Sequence, residues 1–209
     1  MMAFPLPKNE AERLRALRSY RILDTKPEER FDELTELAGI ICGVPISLMT
    51  LIDADRQWFK SKVGLDIQET PRADAFCTHA IIQPKMFVVP DASKDERFAA
   101  NPLVTGDPRI RFYAGAPLVS PDGHVLGTMC VLDRQPRELN EKQMRALQIL
   151  SRQVVYHMEM RNNLAELKAG LKARDEAQGP SGQDAVGLDE IIGELQNAVT
   201  ALRAVRAGR

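Results

Sequence analysis

Apolar positions recur at helical spacing near the start of the chain. Leu14 and Leu17 share one face of a segment that Asn9 can cap and that runs to about Tyr20. After Asp24-Thr25-Lys26-Pro27 the period resumes. Phe31, Leu34, Leu37, Ala38 and Ile41 form a second helical stripe, with Pro27, Glu28 and Glu29 suited to its first turn and Gly43 to its end. The pattern then changes. Residues 46–52 are mainly apolar, with Ser47 and Thr50 among them, and predict a buried strand. Residues 58–63 alternate and place Lys60 and Lys62 on one face, which predicts a partly exposed or edge strand. A loop containing Pro71 leads to a short helix over 73–82 and a short strand over 86–89. Residues 91–109 read as loop, with a helical turn near 93–98. Two almost wholly apolar runs follow, 112–119 and 125–132, joined by Ser120-Pro121-Asp122-Gly123. Proline and glycine there suit a hairpin turn, and runs of that kind form strands covered on both faces. Pro117 implies a bulge or an unpaired position, and Gly115 fits a bulge.

From Asn140 the helical period returns through Leu147, Leu150 and Val154, then shifts frame through Met160, Leu164, Leu167 and Leu171. The shift predicts a helix that leaves the domain near Met158 and continues as a coiled-coil stalk. Residues 178–187 contain the Gly, Pro and Ser of a linker. Leu188, Ile191, Leu195, Ala198, Leu202 and Val205 mark a last amphipathic helix. The expected organisation is an N-terminal helix over 1–23, a central domain over 24–162, a stalk over 163–177, the linker, and a helix over 188–209. The order has no regular strand–helix–strand alternation and no Gly-rich turn between strand and helix. That argues against a doubly wound nucleotide-binding fold and for a mainly antiparallel sheet with helices packed on it.

Charge narrows the functional classes. The 28 Lys and Arg against 29 Asp and Glu leave a net charge of −1. Without a basic excess, nucleic-acid binding is not expected. No apolar run approaches the ~20 residues that span a bilayer, and residues 1–8 lack the basic and apolar regions of a secretory signal. Three cysteines, at 42, 77 and 130, make no disulfide framework, so a reducing cytoplasm is the expected compartment. Cys42 and Cys130 lie in apolar runs and read as buried thiols.

Phe76 to Ile81, Val89 to Asp91, residues 97–107, 110–118 and 127–132 together resemble the GAF family of small-molecule sensor domains. The likeness covers roughly residues 24–162 and is strongest to the modules at the front of bacterial sensor kinases and cyclases. It implies an α+β fold: a six-stranded, mainly antiparallel sheet with helices on both faces, followed here by the helical stalk. It also implies a ligand pocket under the short helix and the long loop. The specialised chemistries of the family match less well. Bilin-binding relatives carry Cys followed directly by His, whereas Thr78 separates Cys77 from His79. The cysteines at 42, 77 and 130 do not resemble the close set of free methionine sulfoxide reductases. No Asn-Lys-Phe-Asp-Glu signature of cyclic-nucleotide binders is present.

The candidate ligand contacts are Cys77, His79, Asp91, Arg111, Tyr113 and Thr128, with Arg97, Asp107 and Arg109 as braces of the loop over the pocket. Cys77 and His79 stand two apart on a helix and do not face each other, and no further Cys/His spacing completes a metal site. Arg111 is expected to face the cavity as the contact for a carboxylate or phosphate. Arg97 or Arg109 is expected to hold Asp91 or Asp107. His157, ahead of Asn162-Asn163, is one residue out of step with a sensor-kinase phosphoacceptor box, and is expected in the stalk seam. The overall expectation is a cytoplasmic sensory module without catalysis of its own. It would form a homodimer, bind an unknown small molecule, and signal to a kinase or cyclase output partner. Two rivals stand beside it: a thiol-based sulfoxide reductase using Cys77, and a dimerisation scaffold with a collapsed pocket.

Overall fold

The computed structural model describes residues 4–82 and 84–178. The chain divides into two compact units, residues 1–162 and 163–209. The second is described as far as Gln178, and that part is helical. Apart from Gln178, the predicted linker over 178–187 and the predicted helix over 188–209 lie outside the described residues.

The first unit is built on a six-stranded sheet. Its strands are β1 (Ile46–Ile52), β2 (Arg56–Val63), β3 (Glu69–Pro71), β4 (Phe87–Val89), β5 (Phe112–Val119) and β6 (Val125–Asp133). The spatial order is β3-β2-β1-β6-β5-β4, and every neighbouring pair is antiparallel. The apolar run of β1 is explained by its place between β2 and β6: all seven of its residues are buried. Alternate side chains serve two cores. Met49, Leu51, Ala114, Met129 and Val131 meet Leu17, Phe31, Leu147 and Val154, which come from α1 (Glu10–Ser19), α2 (Glu29–Cys42) and α5 (Glu141–Gln178). On the other face Leu48, Tyr113, Cys130 and Leu132 meet α3 (Phe76–Ala80) and the loop residues Phe98 and Ile110. A short α4 (Pro102–Thr105) interrupts that loop.

Several expectations are corrected here. Asn9 stands at the start of α1 without capping it; its amide nitrogen lies 3.0 Å from His124 Nδ1. Pro27 precedes α2, which begins at Glu29 behind an extended Glu28. Lys60 lies beyond the stretch of β2 that β3 covers, but it is not exposed. Its side chain is fully buried in the helical face, because Thr25 Oγ1, the Lys26 carbonyl and Glu28 Oε1 take its three protons at 2.8, 2.6 and 2.9 Å. A single turn with helical bonding lies at Asp95–Ala99, where Phe98 N and Ala99 N both donate to the Asp95 carbonyl at 2.9 and 2.8 Å. A short helix not expected from the sequence follows at α4, where the Asn101 side chain accepts from Leu103 N. Of the two alternatives for Pro117, the structure has the unpaired position: β4 pairs with β5 only as far as Gly115, so beyond it no ladder bond is asked of the proline on that side. The irregularity of the hairpin lies between Leu118 and Val119. His157 packs edge-on against Phe31 of α2, with ring centroids 6.4 Å apart, within the first unit rather than in a stalk seam.

Candidate functional site

The face of the sheet opposite the long helices carries the site. Cys130 of β6 lies between Leu48 of β1 and Gly115 of β5, its cross-strand partners. Gly115 is required there. A Cβ at that position would lie 2.2 Å from the Tyr113 hydroxyl, so the missing side chain is what lets the Tyr113 ring lie down along its own strand. Thr50 and Thr128 are likewise paired across β1 and β6, with hydroxyls 3.0 Å apart. Above them α3 lowers Cys77 onto the sheet.

The result is a polar knot in an apolar setting. Cys77 Sγ accepts from Thr128 Oγ1 at 3.1 Å and from Tyr113 Oη at 3.2 Å, and lies 3.8 Å from Cys130 Sγ. All three cysteines are free thiols and buried. Burial alone would raise the Cys77 thiol. The hydrogen bonds from Cys130, the threonine hydroxyls and Tyr113 outweigh it and bring Cys77 down to about 7. Burial, and then the neighbouring Cys77, pushes the Cys130 thiol up. The same burial keeps the Tyr113 phenol protonated.

Beside the two sulfurs lies a cavity of about 30 Å³, lined by Cys77, Cys130, Tyr113 and apolar side chains including Leu48, Phe59 and Ile110. A water needs roughly 10–15 Å³ on this scale, so there is room for about two oxygen-sized atoms. Large rings occupy the rest of the region. Phe76 stacks on Phe98 at 4.2 Å and on Tyr113 at 5.3 Å.

The other predicted site residues fall around this knot rather than in it. Cys77, Tyr113 and Thr128 are brought together. His79, half-buried, packs edge-on against Phe98 at 4.8 Å; burial and then the Arg97 charge push its pKa down. Asp91 closes a local turn by accepting from Ser93 N and Oγ at 3.1 and 2.6 Å. Arg111 is not a cavity residue. It precedes β5, and its Nη1 turns back to the carbonyls of Val104, Ile110 and Arg109 at 2.9, 3.0 and 3.3 Å, which makes it a staple of the loop. Arg97 pairs not with Asp91 or Asp107 but with Asp95, through two bonds of 2.8 and 2.5 Å, and its guanidinium covers Phe87 and Phe98 at 4.9 and 5.3 Å. Asp107 and Arg109 are exposed, and Arg109 takes a positive φ of 61°. Arg137, absent from the sequence reading, pairs with the buried Asp133 at the end of β6.

Sequence reasoning missed Thr50; it read Cys130 as a buried thiol that could approach Cys77 in space, with no spacing in the sequence to place it there. The available signal was the even spacing of Thr128 and Cys130, which puts them on one face of a strand. Among the described residues no group of three or more His, Cys, Asp or Glu could hold a metal, and no helix is long and apolar enough to cross a membrane.

Residues 26–158 match the GAF domain family. A cyclic di-GMP phosphodiesterase of Pseudomonas aeruginosa is 43% identical over 152 residues, which is 72% of this chain and 26% of that protein. The chain therefore spans about a quarter of the length of this relative. Among solved structures, the GAF domain of a phosphoenolpyruvate-protein phosphotransferase from Acinetobacter superposes with a TM-score of 0.53 at 19% identity, over 74% of this chain and 95% of that one. A free methionine-R-sulfoxide reductase from Neisseria meningitidis, solved with its substrate, gives 0.51 at 17% identity, over 79% and 98%. At such identities these two likenesses show the fold alone.

Proposed function

The chain belongs to the GAF domain family, and we propose that it is the regulatory input module of a signalling system whose output is cyclic di-GMP turnover. The observation that carries this reading is the 43% identity to a cyclic di-GMP phosphodiesterase over 152 residues. Identity at that level across the domain supports a shared regulatory role. In this reading the module has no catalysis of its own. The apolar residues Leu164 and Leu167 of α5, 49% and 61% exposed, together with Tyr156 and Met160, serve a parallel homodimer. The ligand is a small, largely apolar molecule, because the cavity lining is apolar and Arg111 is committed to loop carbonyls. A ligand acts by favouring one state of the loop over residues 90–111 and so biasing α5.

Two measurements test the proposal. Deleting the gene in its own host should change the cellular cyclic di-GMP level; an unchanged level in growth phases where the chain is expressed sinks the output assignment. Light scattering of the intact chain should give a dimer that Leu164→Glu with Leu167→Glu converts to monomer. A wild-type monomer at micromolar concentration refutes the dimer.

A second reading, a thiol-based sulfoxide reductase using Cys77, is favoured by the 3.8 Å approach of Cys130. A cavity of about 30 Å³ speaks against a substrate as large as an amino-acid sulfoxide. Sulfoxide-dependent thiol consumption, lost in Cys77→Ser, would establish it over the sensory reading.

A further inference from the structure

We propose that Cys77 and Cys130 form a hydroperoxide-reactive dithiol, with Cys77 as the attacking sulfur and Cys130 as the resolving one. This goes beyond the sensory reading and does not depend on a metabolite or a dimer. Four observations carry it. The two sulfurs are 3.8 Å apart, already in van der Waals contact, on elements that are far apart in sequence. Two hydroxyl donors, Thr128 and Tyr113, converge on Cys77 Sγ at 3.1 and 3.2 Å, and donors aimed at a sulfur stabilise it as a thiolate. The cavity that both sulfurs line has room for about two oxygen atoms, which is the size of hydrogen peroxide. The third thiol, Cys42, lies in the opposite core, where burial pushes it up to about 11, so it is an internal control.

The chemistry balances without any other co-reactant. Cys77 thiolate attacks one oxygen of hydrogen peroxide; an S–O bond forms, the O–O bond breaks, and the departing hydroxide takes the proton lost by Cys77 to become water. Cys77 is now a sulfenic acid. Cys130 sulfur then attacks Cys77 sulfur; the S–S bond forms and the S–O bond breaks. Hydroxide leaves with the proton of Cys130 as a second water. Two thiols are oxidised by two electrons and one peroxide is reduced to two waters. The sulfurs must close from 3.8 Å to about 2.05 Å, which draws α3 toward β6.

The test uses the intact wild-type chain. It is treated with dilute hydrogen peroxide under native conditions, then denatured, alkylated without reductant and mapped by mass spectrometry. Expected is loss of two alkylatable thiols, a Cys77–Cys130 cross-linked peptide, and Cys42 still alkylated. In Cys130→Ser, dimedone should trap a sulfenic acid on Cys77; in Cys77→Ser, Cys130 should stay reduced. The oxidation rate should rise about tenfold between pH 6 and 8 and then level, following the Cys77 thiolate. Circular dichroism on the same samples identifies any variant that fails to fold, and the wild-type cross-link decides the matter alone. Survival of all three thiols in folded wild type, or a cross-link through Cys42, overturns the proposal. A rate that keeps climbing tenfold per pH unit beyond pH 8 overturns the assignment of Cys77 as the attacking sulfur.

Discussion

Glu28 serves two cations at the point where α5 meets the start of the domain, and its neutralisation is the sharpest test of what holds that junction. Its Oε1 accepts from Lys60 Nζ and from Arg161 Nε, each at 2.9 Å. Lys60 is fully buried, with its ammonium 5.5 Å from the Phe31 ring centre. Burial pushes the lysine pKa down, and the pairing with Glu28 works against it; burial pushes the Glu28 carboxyl up, but the lysine and Arg161 together prevail and hold it below its ordinary value. Glu28→Gln keeps an acceptor oxygen and deletes the charge. Removing one partner of a buried ion pair costs ~3–5 kcal/mol. Glu28 is 24% exposed, so water screens part of that, and we expect about 2 kcal/mol. For a domain of this size that is a drop of roughly 4–8 °C in Tm. Lys60→Met removes the ion instead of orphaning it and should cost about 1 kcal/mol or less. In the double variant the cost of Glu28→Gln should fall by about 1 kcal/mol, the signature of a shared interaction. Urea melts of the four proteins at pH 7, followed by circular dichroism, give all the values. If Glu28→Gln lies within ~0.5 kcal/mol of wild type, or if the two costs simply add, the cluster is not a coupled ion triad.

Three further outcomes are expected. Burial raises the Glu10 carboxyl, but the bonds from Arg13 and Arg72 prevail and hold it at about 2. Its contribution is therefore present above the unfolded carboxylate pKa of about 4.3 and is lost as pH falls from there toward 2. The stability gap between wild type and Glu10→Gln should shrink by about 2 kcal/mol across that window, after allowance for partial exposure; a flat gap refutes it. Gly127→Ala puts a Cβ 1.9 Å from the Thr50 carbonyl oxygen, in the tight β1–β6 pairing, and should cost about 3 kcal/mol or more by urea melt; a wild-type midpoint is the contrary result. Arg111→Ala should lose about 2 kcal/mol of apo stability because three loop carbonyls lose a charged donor, whereas a pure ligand contact would leave the melt unchanged.

The strands were legible because each faces a simple demand. The runs at 46–52, 112–119 and 125–132 are mostly apolar since both faces of those strands are covered, and the Pro-Asp-Gly turn names the hairpin of the last two. Side-chain pairing was not legible in the same way. Lys60 alternates like an edge residue, and only the return of Thr25, Lys26 and Glu28 over β2 makes its burial tolerable. Arg111 and Arg97 have partners other than those expected. A guanidinium can turn back to a carbonyl or reach forward to a carboxylate, and the choice depends on a loop path that has no period. The Cys77–Cys130 contact joins residues 53 positions apart. Strand parity gave the facing direction of Cys130, but only the docking of α3 gives the distance.

That docking bears on how a module with so small a cavity can report anything. β1, β5 and β6 are one residue thick between the two cores: Cys130 faces Cys77, while Met129 and Val131 on either side of it face the long helices. A displacement of β6 at Cys130 therefore reaches the opposite core without a relay of loops. What it must overcome there is the hold on the last turn of α5 in the first unit. Arg161 Nη1 donates to the carbonyls of Tyr20 and Arg21 at 3.1 Å, Nε to Glu28, and Glu159 accepts from the Tyr20 hydroxyl. Coupling free energies between sites are typically ~1–3 kcal/mol. The ~2 kcal/mol expected for the Glu28 cluster is on that scale, so in the proposed reading this cluster is a hold on α5 that a ligand or oxidation would have to bias. Communication in the reverse direction must have equal size. Glu28→Gln should then shift the equilibrium between the Cys77–Cys130 dithiol and its disulfide, read in a thiol–disulfide redox buffer, a pairing of two sites on opposite faces that local stability alone does not require.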